Sequence, residues 1–267
     1  MRIGRLVRRS LIVVGVIYIG ILYLLQPVTV RLPPTAAAST ASNRPLRVLF
    51  VGNSFTFVND LPHMLEAMAA ARPHSRPLIT GMVAFPNETL EGNWQRGDAL
   101  RAIQNNGYWD YVVLQEQSYR PIADLELMSR YAKDFDIEIG KVGAKTILYM
   151  TWGNEDTPDD TERIAQSYME VAGTLGAIVA PVGRAFAAAR AGRPGEHLYG
   201  KDGHHPSAAG TYLAAAIFYR LIEGTSPEGI PGALRLPGSG GGLLADLPAD
   251  EATYLLGVAA GAIEHPQ

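Results

Sequence analysis

The sequence predicts a three-layer α/β/α sandwich built on a mostly parallel sheet of five strands. From residue 46 onward, short apolar runs rich in β-branched residues alternate with longer amphipathic stretches, patterns typical of strands and helices respectively. Because the apolar runs are nearly continuous, both faces of each strand are expected to be buried, as in a parallel sheet covered by helices. Right-handed crossovers would then bring the carboxyl ends of the strands to one edge.

The individual elements follow from the same patterns. Strands are predicted at 46–51, 78–84, 111–115, 145–151 and 177–181. Helices are predicted at 60–72, 94–106, 125–142, 160–175, 184–191 and 207–223. After residue 224 the alternation ends in a coil rich in proline and glycine, and a last helix is predicted near 249–263. We interpret 46–223 as one domain and 224–267 as a coil and helix packed on it.

Composition excludes several classes of function. The chain has 267 residues, of which 47% are hydrophobic and 18% charged, and a net charge of −3, so it predicts a globular protein without a nucleic-acid-binding surface. It contains no cysteine, so thiol catalysis is excluded and the fold relies on its core rather than on disulfides.

The N-terminus predicts a membrane segment. Four arginines lie within the first nine residues and precede an uninterrupted apolar stretch at 11–25, which can extend to Val30. A positive flank before an apolar run indicates export or anchoring, with the arginines on the cytoplasmic side. Residues 1–30 are therefore predicted to be an anchor or signal segment, with the following domain on the periplasmic side of a bacterial inner membrane.

Cleavage and retention of this segment are harder to separate, because its length lies between a signal-peptide core and the roughly 20 residues that span a bilayer. The A-x-A-like site at 36–38 lies well beyond the apolar run, inside a Pro/Ala/Ser stretch at 31–45 that is typical of a flexible linker. A retained anchor is the favoured interpretation, and secretion after cleavage is the alternative.

Two short motifs about 150 residues apart carry the chemistry. Gly-Asn-Ser-Phe-Thr follows the first predicted strand and contains Ser54, while Asp-Gly-His-His-Pro-Ser precedes the helix at 207–223 and contains Asp202 and His205. A serine hydroxyl needs a base within hydrogen-bond reach, a group that orients the base, and donors for the oxyanion. The predicted catalytic residues are therefore Ser54 as nucleophile, His205 as base and Asp202 as orienting acid.

These motifs resemble the SGNH hydrolases, the superfamily of GDSL-type serine esterases. GNSFT resembles their first block and DGHHPS their last, with Ser54, Asp202 and His205 in the nucleophile, acid and base positions. The segments ETLEGNW and VVLQEQS extend the similarity over 46–223, and GNSFT with LQEQS looks most like one bacterial branch of the superfamily. The resemblance implies a flavodoxin-like fold, an acyl-enzyme intermediate, and no metal or cofactor.

The resemblance also implies an oxyanion hole, which departs from the family pattern at two positions. Its members use the serine N–H, a glycine N–H after the second strand and an asparagine side chain after the third. In this sequence Asn87 stands in the glycine position, with Gly92 as the other candidate, and Gln117 stands in the asparagine position. Asparagine tolerates positive φ, and a glutamine amide donates as asparagine does, so Ser54, Asn87 and Gln117 are the predicted donors.

Other residues have two interpretations each. The candidate pocket walls are Trp94, Gln115, Glu116, Trp152 and His204. Plain packing explains the tryptophans equally well, and Glu116 is an alternative general base. His204 and His205, with Asp202 and His197, are residue types that also bind metals, but adjacent histidines diverge and that interpretation leaves Ser54 unexplained.

Taken together, the sequence predicts a serine ester hydrolase acting on short-acyl esters. The extracytoplasmic site and the aromatic residues near it favour O-acetyl groups on carbohydrate or cell-envelope substrates. An O-acyltransferase that uses the same three residues is one alternative. A non-catalytic glycan-binding protein on a decayed hydrolase fold is the other.

Overall fold

A six-stranded sheet with helices on both faces forms the core of the described chain. The computed structural model describes residues 29–36, 44–73, 75–237 and 241–263. The strands of the sheet are β1 Thr29–Arg31, β2 Leu46–Gly52, β3 Leu78–Ala84, β4 Tyr111–Leu114, β5 Lys145–Tyr149 and β6 Ile178–Ala180. They lie in the order β1-β3-β2-β4-β5-β6, and β2 to β6 are parallel. The mainly parallel α/β fold predicted from the sequence is confirmed.

Helices connect these strands and cover the sheet. The helices are α1 Ser54–Phe57, α2 Leu61–Ala70, α3 Leu90–Arg96, α4 Asp98–Asn105, α5 Arg120–Ala123, α6 Leu125–Lys141, α7 Asp160–Leu175, α8 Val182–Gly192, α9 Ala208–Glu223 and α10 Ala249–Gly261. Helices α2, α8, α9 and α10 share one apolar cluster with the sheet, and α3, α4, α6 and α7 share another. The two clusters lie on opposite faces of the sheet, between the strands and the helices that cover them.

The sheet order places a crevice at the end of β2. Going along the chain, β3 is added on one side of β2 and β4 on the other. This reversal of strand order is the switch point at which open α/β sheets bind their ligands, outside the carboxyl ends of the strands. Ser54 follows β2 directly, so the fold places the predicted nucleophile at this crevice.

An edge strand, β1, corrects the predicted sheet of five strands. Thr29, Val30 and Arg31 pair antiparallel with Ala84, Val83 and Met82 of β3. These three residues were assigned to the membrane segment and the linker. A three-residue strand has too short a pattern to be recognised beside an apolar run, and it forms here because β3 offers an open edge with unpaired backbone groups.

The part of the predicted linker that the structure describes packs on the domain. The guanidinium of Arg47 donates to Pro34 O at 3.0 Å, and Asn106 Nδ2 donates to Pro33 O at 3.1 Å. Ala36 forms a bridge with Gly107. Residues 33–36 are therefore ordered by buried donors, not a free tether. The membrane prediction for 1–28 and the rest of the linker at 37–43 lie outside the described residues, and within the described ranges we find no helix long and apolar enough to cross a bilayer.

The C-terminal tail contains a hairpin where coil was predicted. Strands β7 Ala233–Arg235 and β8 Leu243–Asp246 pair antiparallel, and α10 follows them. Tyr254 on α10 donates its hydroxyl to Ala189 O at 2.6 Å, which joins the tail to α8. The tail belongs to the same apolar cluster as α9.

A chain that starts at Asn43 should be less stable than one that starts at Thr29. It lacks β1 and the carbonyls that accept from Arg47 and Asn106, and a few lost hydrogen bonds of this kind predict a loss of about 3 kcal/mol in the free energy of unfolding. Urea denaturation of the two chains measures the difference. Equal midpoints and slopes would show that β1 and residues 33–36 do not contribute to stability.

Candidate active site

Ser54 lies at the carboxyl end of β2, as the first residue of the short helix α1. Asn53 caps this helix, because its Oδ1 accepts the N–H of Phe55 at 3.1 Å. Gly52 leaves no room for a side chain, since a Cβ there would lie 2.5 Å from Oε1 of Gln115. As the first helical residue, Ser54 has a backbone N–H without an intrahelical acceptor. The strand-to-helix turn therefore presents both its hydroxyl and its N–H at the crevice.

The three predicted catalytic residues form one connected hydrogen-bond chain. His205 Nε2 lies 2.8 Å from Ser54 Oγ, and His205 Nδ1 lies 2.6 Å from Asp202 Oδ2. The side chains of His205 and Asp202 are 31% and 52% exposed. The geometry allows the imidazole to take a proton from the serine while the carboxylate orients the ring, and it leaves the base open to water.

A tight turn brings Asp202 to His205. Asp202 Oδ1 accepts the backbone N–H groups of His204 and His205, each at 3.0 Å. Gly203 lies between them with φ +65, a conformation that side chains disfavour. On the other side of the motif, Ser207 caps α9 by accepting the N–H of Gly210 at 3.1 Å. One short segment thus positions the base and its orienting group.

Hydrogen bonding stabilises the carboxylate form of Asp202 and lowers its pKa. The hydrogen bond from His205 is the largest influence and lowers the pKa of Asp202 to about 2. The two backbone N–H groups at its other oxygen act in the same direction. Asp202 is therefore a carboxylate at neutral pH and can orient the imidazole of His205.

The predicted oxyanion donors Asn87 and Gln117 lie together. Asn87 has φ +55, the left-handed conformation that its place in a glycine position requires. Gln117 Nε2 donates to Asn87 Oδ1 at 3.1 Å, while its Oε1 accepts the N–H of Tyr119 at 2.8 Å and that of Arg120 at 3.1 Å. Because the backbone occupies its oxygen, the Gln117 amide presents its NH₂ group toward Asn87. The N–H groups of Tyr119 and Arg120 thus hold the longer side chain of Gln117 in one conformation.

Gln115 is buried beneath the nucleophile and is not a pocket wall. Its side chain is fully buried. Its Oε1 accepts from the backbone N–H of Asn53 and the hydroxyl of Thr56, both at 3.0 Å, and its Nε2 donates to Asn53 Oδ1 at 2.9 Å. Asn53 Nδ2 in turn donates to Glu88 O at 2.9 Å. This network joins the turn of Ser54 to the end of β4 and to the segment before α3.

Glu116 is also buried, which corrects its assignment to a pocket wall. It is 1% exposed, and its Oε1 accepts the N–H of Leu90 at 3.1 Å and that of Gln117 at 2.6 Å. Burial is the main influence on this carboxyl and raises its pKa to about 7. Glu116 is thus connected to both segments that hold the candidate oxyanion donors, and its burial does not suit the alternative role of general base.

Trp152 likewise belongs to the core. It is 1% exposed and stacks between Phe55 and Phe186, with ring centroids 4.6 and 4.1 Å away. Its Nε1 donates to His204 O at 3.1 Å, so it supports the base loop from below. The prediction of Trp152 as a pocket wall is therefore wrong. The sequence does not determine whether the side chain that follows a strand points into the core or into the crevice.

The two remaining wall candidates keep partial exposure. Trp94 is half-buried and packs edge-on against Phe135 of α6. His204 is half-buried beside His205, and its Nδ1 lies 2.6 Å from Asn154 Oδ1. Desolvation, followed by the neighbouring His205, lowers the pKa of His204 and favours its neutral form.

No metal cluster is formed by these histidines. Over residues 29–36, 44–73, 75–237 and 241–263, no group of three or more His, Cys, Asp or Glu side chains is placed to hold a metal ion. The ring nitrogens of His205 face Ser54 and Asp202 instead.

A polar cavity borders the base loop. Its volume is about 430 Å³, and Asn154, Glu155, Asp156, Lys201, Asp202 and His204 line it. An apolar groove of about 760 Å³ lies elsewhere, between α7, β6 and the end of α10. Polar and charged side chains thus line most of the cavity beside Asp202, whereas this groove is mostly apolar.

Comparison with solved structures identifies the fold. A protein from Slackia heliotrinireducens, provisionally described as an SGNH hydrolase, is 29% identical over 66% of this chain and 98% of its own, with a TM-score of 0.57. The acetyl xylan esterase AlAXEase aligns over 66% of this chain and 100% of its own at 13% identity and a TM-score of 0.55. Axe2, an acetylxylan esterase from Geobacillus stearothermophilus, aligns over 66% and 93% at 16% identity and a TM-score of 0.50. No protein-family model matches the sequence, and no curated protein matches it significantly.

The fold and the comparisons together define an α/β protein with the fold of the SGNH hydrolases. The resemblance to the SGNH hydrolase superfamily that the motifs predict is confirmed at the level of fold. The neighbour at 29% identity supports a hydrolase.

Replacing Glu116 should change how stability depends on pH. The folded protein keeps this proton up to a pH of about 7, whereas the unfolded chain releases it near its ordinary value of 4.5. The wild type should therefore lose about 3 kcal/mol of stability as the pH rises between these values. Glu116→Gln lacks this titration and keeps an oxygen for the two N–H groups.

Urea denaturation of both proteins at about pH 5 and about pH 8 measures this difference. The free energy of unfolding of Glu116→Gln, relative to that of the wild type, should be larger at the higher pH than at the lower pH. Glu126→Gln, the same change at an exposed position of α6, is the control and should show no such gain. Parallel behaviour of all three proteins would contradict the assignment.

Proposed function

We propose that the protein is a serine ester hydrolase that removes short acyl groups, O-acetyl above all, from carbohydrate or cell-envelope substrates. The observation that carries the proposal is the hydrogen-bond chain from Ser54 through His205 to Asp202 at the switch point of the sheet. The acetylxylan esterase neighbours support a carbohydrate ester over a long acyl chain.

In the proposed mechanism His205 takes the proton of the Ser54 hydroxyl as the oxygen attacks the ester carbonyl. The carbonyl oxygen becomes an oxyanion, which the backbone N–H groups of Ser54 and Asn87 and the side-chain amide of Gln117 stabilise. His205 returns the proton to the leaving alcohol, and an acyl-enzyme remains. Water, deprotonated by His205, then releases the acid and restores the serine.

Two observations bear on the alternative functions. The exposed His205 and Asp202 give water access to the acyl-enzyme, which favours hydrolysis over transfer to a second sugar. The short hydrogen bonds of the triad favour a working enzyme over a decayed binding fold. We also propose that residues 1–28 anchor the domain on the periplasmic side of a bacterial inner membrane.

Hydrolysis of 4-nitrophenyl esters of increasing acyl length tests the activity. Acetate should be the best substrate, and Ser54→Ala should abolish turnover and labelling by a fluorophosphonate probe, because the nucleophile is gone. Ser129→Ala on α6 is a matched control and should keep both. Labelling that persists in Ser54→Ala would assign the nucleophile elsewhere, and an inactive, unlabelled wild type of proven fold would favour the binding protein.

Gln117→Ala should lower kcat by roughly 100-fold, the usual loss for one oxyanion donor, with little change in KM. The amide is expected to interact with charge that develops only in the transition state. Gln166→Ala, at an exposed glutamine of α7, serves as the control. Unchanged kcat in Gln117→Ala, with the fold intact, would remove Gln117 from the oxyanion hole.

A further inference from the structure

The direction of β1 places the start of the described chain at the catalytic edge of the sheet. β1 runs antiparallel to β3, so its first residue, Thr29, pairs with Ala84 at the carboxyl end of β3. In the parallel ladder between β3 and β2, Ala84 pairs with Gly52. Thr29 therefore lies two strand spacings, roughly 10 Å, from the turn that presents Ser54.

Side chains connect β1 to the active-site loops. Arg31 lies 3.6 Å from Asp60, which follows α1. The neighbouring Asn59 donates its Nδ2 to Pro206 O at 2.9 Å, directly after His205 in the chain. Both Asn59 and Asp60 have left-handed φ values, of 57 and 52, so this connection is built with backbone geometry that few residues adopt. The edge strand and the base loop are held together through one short segment.

The same strand argues that the N-terminal segment is retained. Cleavage at 36–38 would remove β1 and expose the edge of β3. It would also take away the carbonyls of Pro33 and Pro34, which accept from Asn106 and from the buried guanidinium of Arg47. A domain that uses residues 29–36 in its fold is better suited to an anchor than to a signal cleaved behind them.

The length of chain before β1 limits how far the catalytic edge can lie from a bilayer. The apolar run ends between Leu25 and Val30, so at most three residues, or four residue steps, separate it from Thr29. At about 3.5 Å per residue these span no more than roughly 14 Å. Val30 in β1 and Leu32 directly after it continue the apolar character, with exposed fractions of 38% and 39%. A flexible linker at 31–45 would have left the orientation of the domain free, but the chain enters the sheet before that stretch.

We infer that the catalytic edge of the sheet faces the membrane and that the substrate is an acylated carbohydrate held at the bilayer surface by a lipid. The opposite pole, where β5 begins at Lys145, then points away from the membrane. This inference rests on the proposed function and on the proposed anchor, and it names the form in which the ester is presented. A polysaccharide far from the membrane would not reach a site held in this way.

Orientation is measured on the full chain in vesicles of phosphatidylcholine and phosphatidylglycerol. The protein has no cysteine, so one introduced cysteine gives one fluorescent label. Tyr119→Cys labels the catalytic edge and Lys145→Cys labels the opposite pole, both at exposed positions. Lipids with a nitroxide on the headgroup should quench the label at 119 strongly and that at 145 weakly. Stronger quenching at 145, or equal quenching at both, would overturn the orientation whatever the enzymatic activity.

Substrate presentation is measured with a matched pair of esters. One is an O-acetylated octadecyl glucoside embedded in the vesicles, and the other is the O-acetylated methyl glucoside in solution. A flexible Gly/Ser spacer of about 20 residues, inserted between Val28 and Thr29, should lower turnover of the embedded ester several-fold by lowering its effective concentration at the site. Turnover of the soluble ester should not change.

The outcomes separate this inference from the proposed function. If the spacer leaves the ratio of the two rates unchanged, membrane presentation is wrong although the esterase stands. If neither ester nor 4-nitrophenyl acetate is hydrolysed, the proposed function is wrong, and the quenching result still decides the orientation. Mature protein that is recovered from membranes without residues 1–38 would overturn the anchor and the inference with it.

Discussion

The hydrogen bonds of Gln115 hold the active site to the centre of the sheet. This buried amide leaves the end of β4 and accepts from, and donates to, Asn53 at the end of β2. Burying an amide is costly unless its groups are paired, and a paired network in a low-dielectric interior is correspondingly rigid. Asn53 extends the network to Glu88 O, and Glu116 extends it to Leu90 and Gln117. The turn of Ser54 and the segments before α3 and after β4 are thus joined by one network of buried polar groups.

The two departures from the pattern that the resemblance implies lie beside each other in the structure. Asn87, which the resemblance puts in a glycine position, has a left-handed φ of 55 and accepts from Gln117 with its side chain. An asparagine is replaced by Gln117, whose longer side chain is anchored by the N–H groups of Tyr119 and Arg120. The two replacements contact each other, so the side chain of Asn87 supplies an acceptor for the longer side chain of Gln117. Considered one position at a time, the sequence does not show this contact between Asn87 and Gln117.

The sequence was sufficient to predict what depends on strong or long patterns. The five parallel strands and the long helices were located within a few residues, because β-branched runs and helical periodicity are properties of whole segments. The pairing of Ser54 with His205 and Asp202 followed from motif chemistry. The inward direction of Gln115, Glu116 and Trp152 was missed, since a residue just past a strand has no neighbour pattern that fixes its face. β1 was missed because three residues cannot show a period, and its partner β3 is far away in the chain.

The candidate base, His205, is partly exposed, and contacts with the apolar core beneath it hold its ring in position. His205 remains partly exposed, yet its ring lies edge-on to Phe55, which heads a stack that continues through Trp152 to Phe186. Trp152 also holds the backbone of His204. Because a packed core is hardly compressible, this aromatic stack restricts the movement of the His205 ring that lies on it. In the proposed mechanism, the water access needed to hydrolyse an acyl-enzyme and the rigidity needed to align a base therefore come from different parts of the molecule: the first from the solvent-exposed base loop, the second from the packed core beneath it.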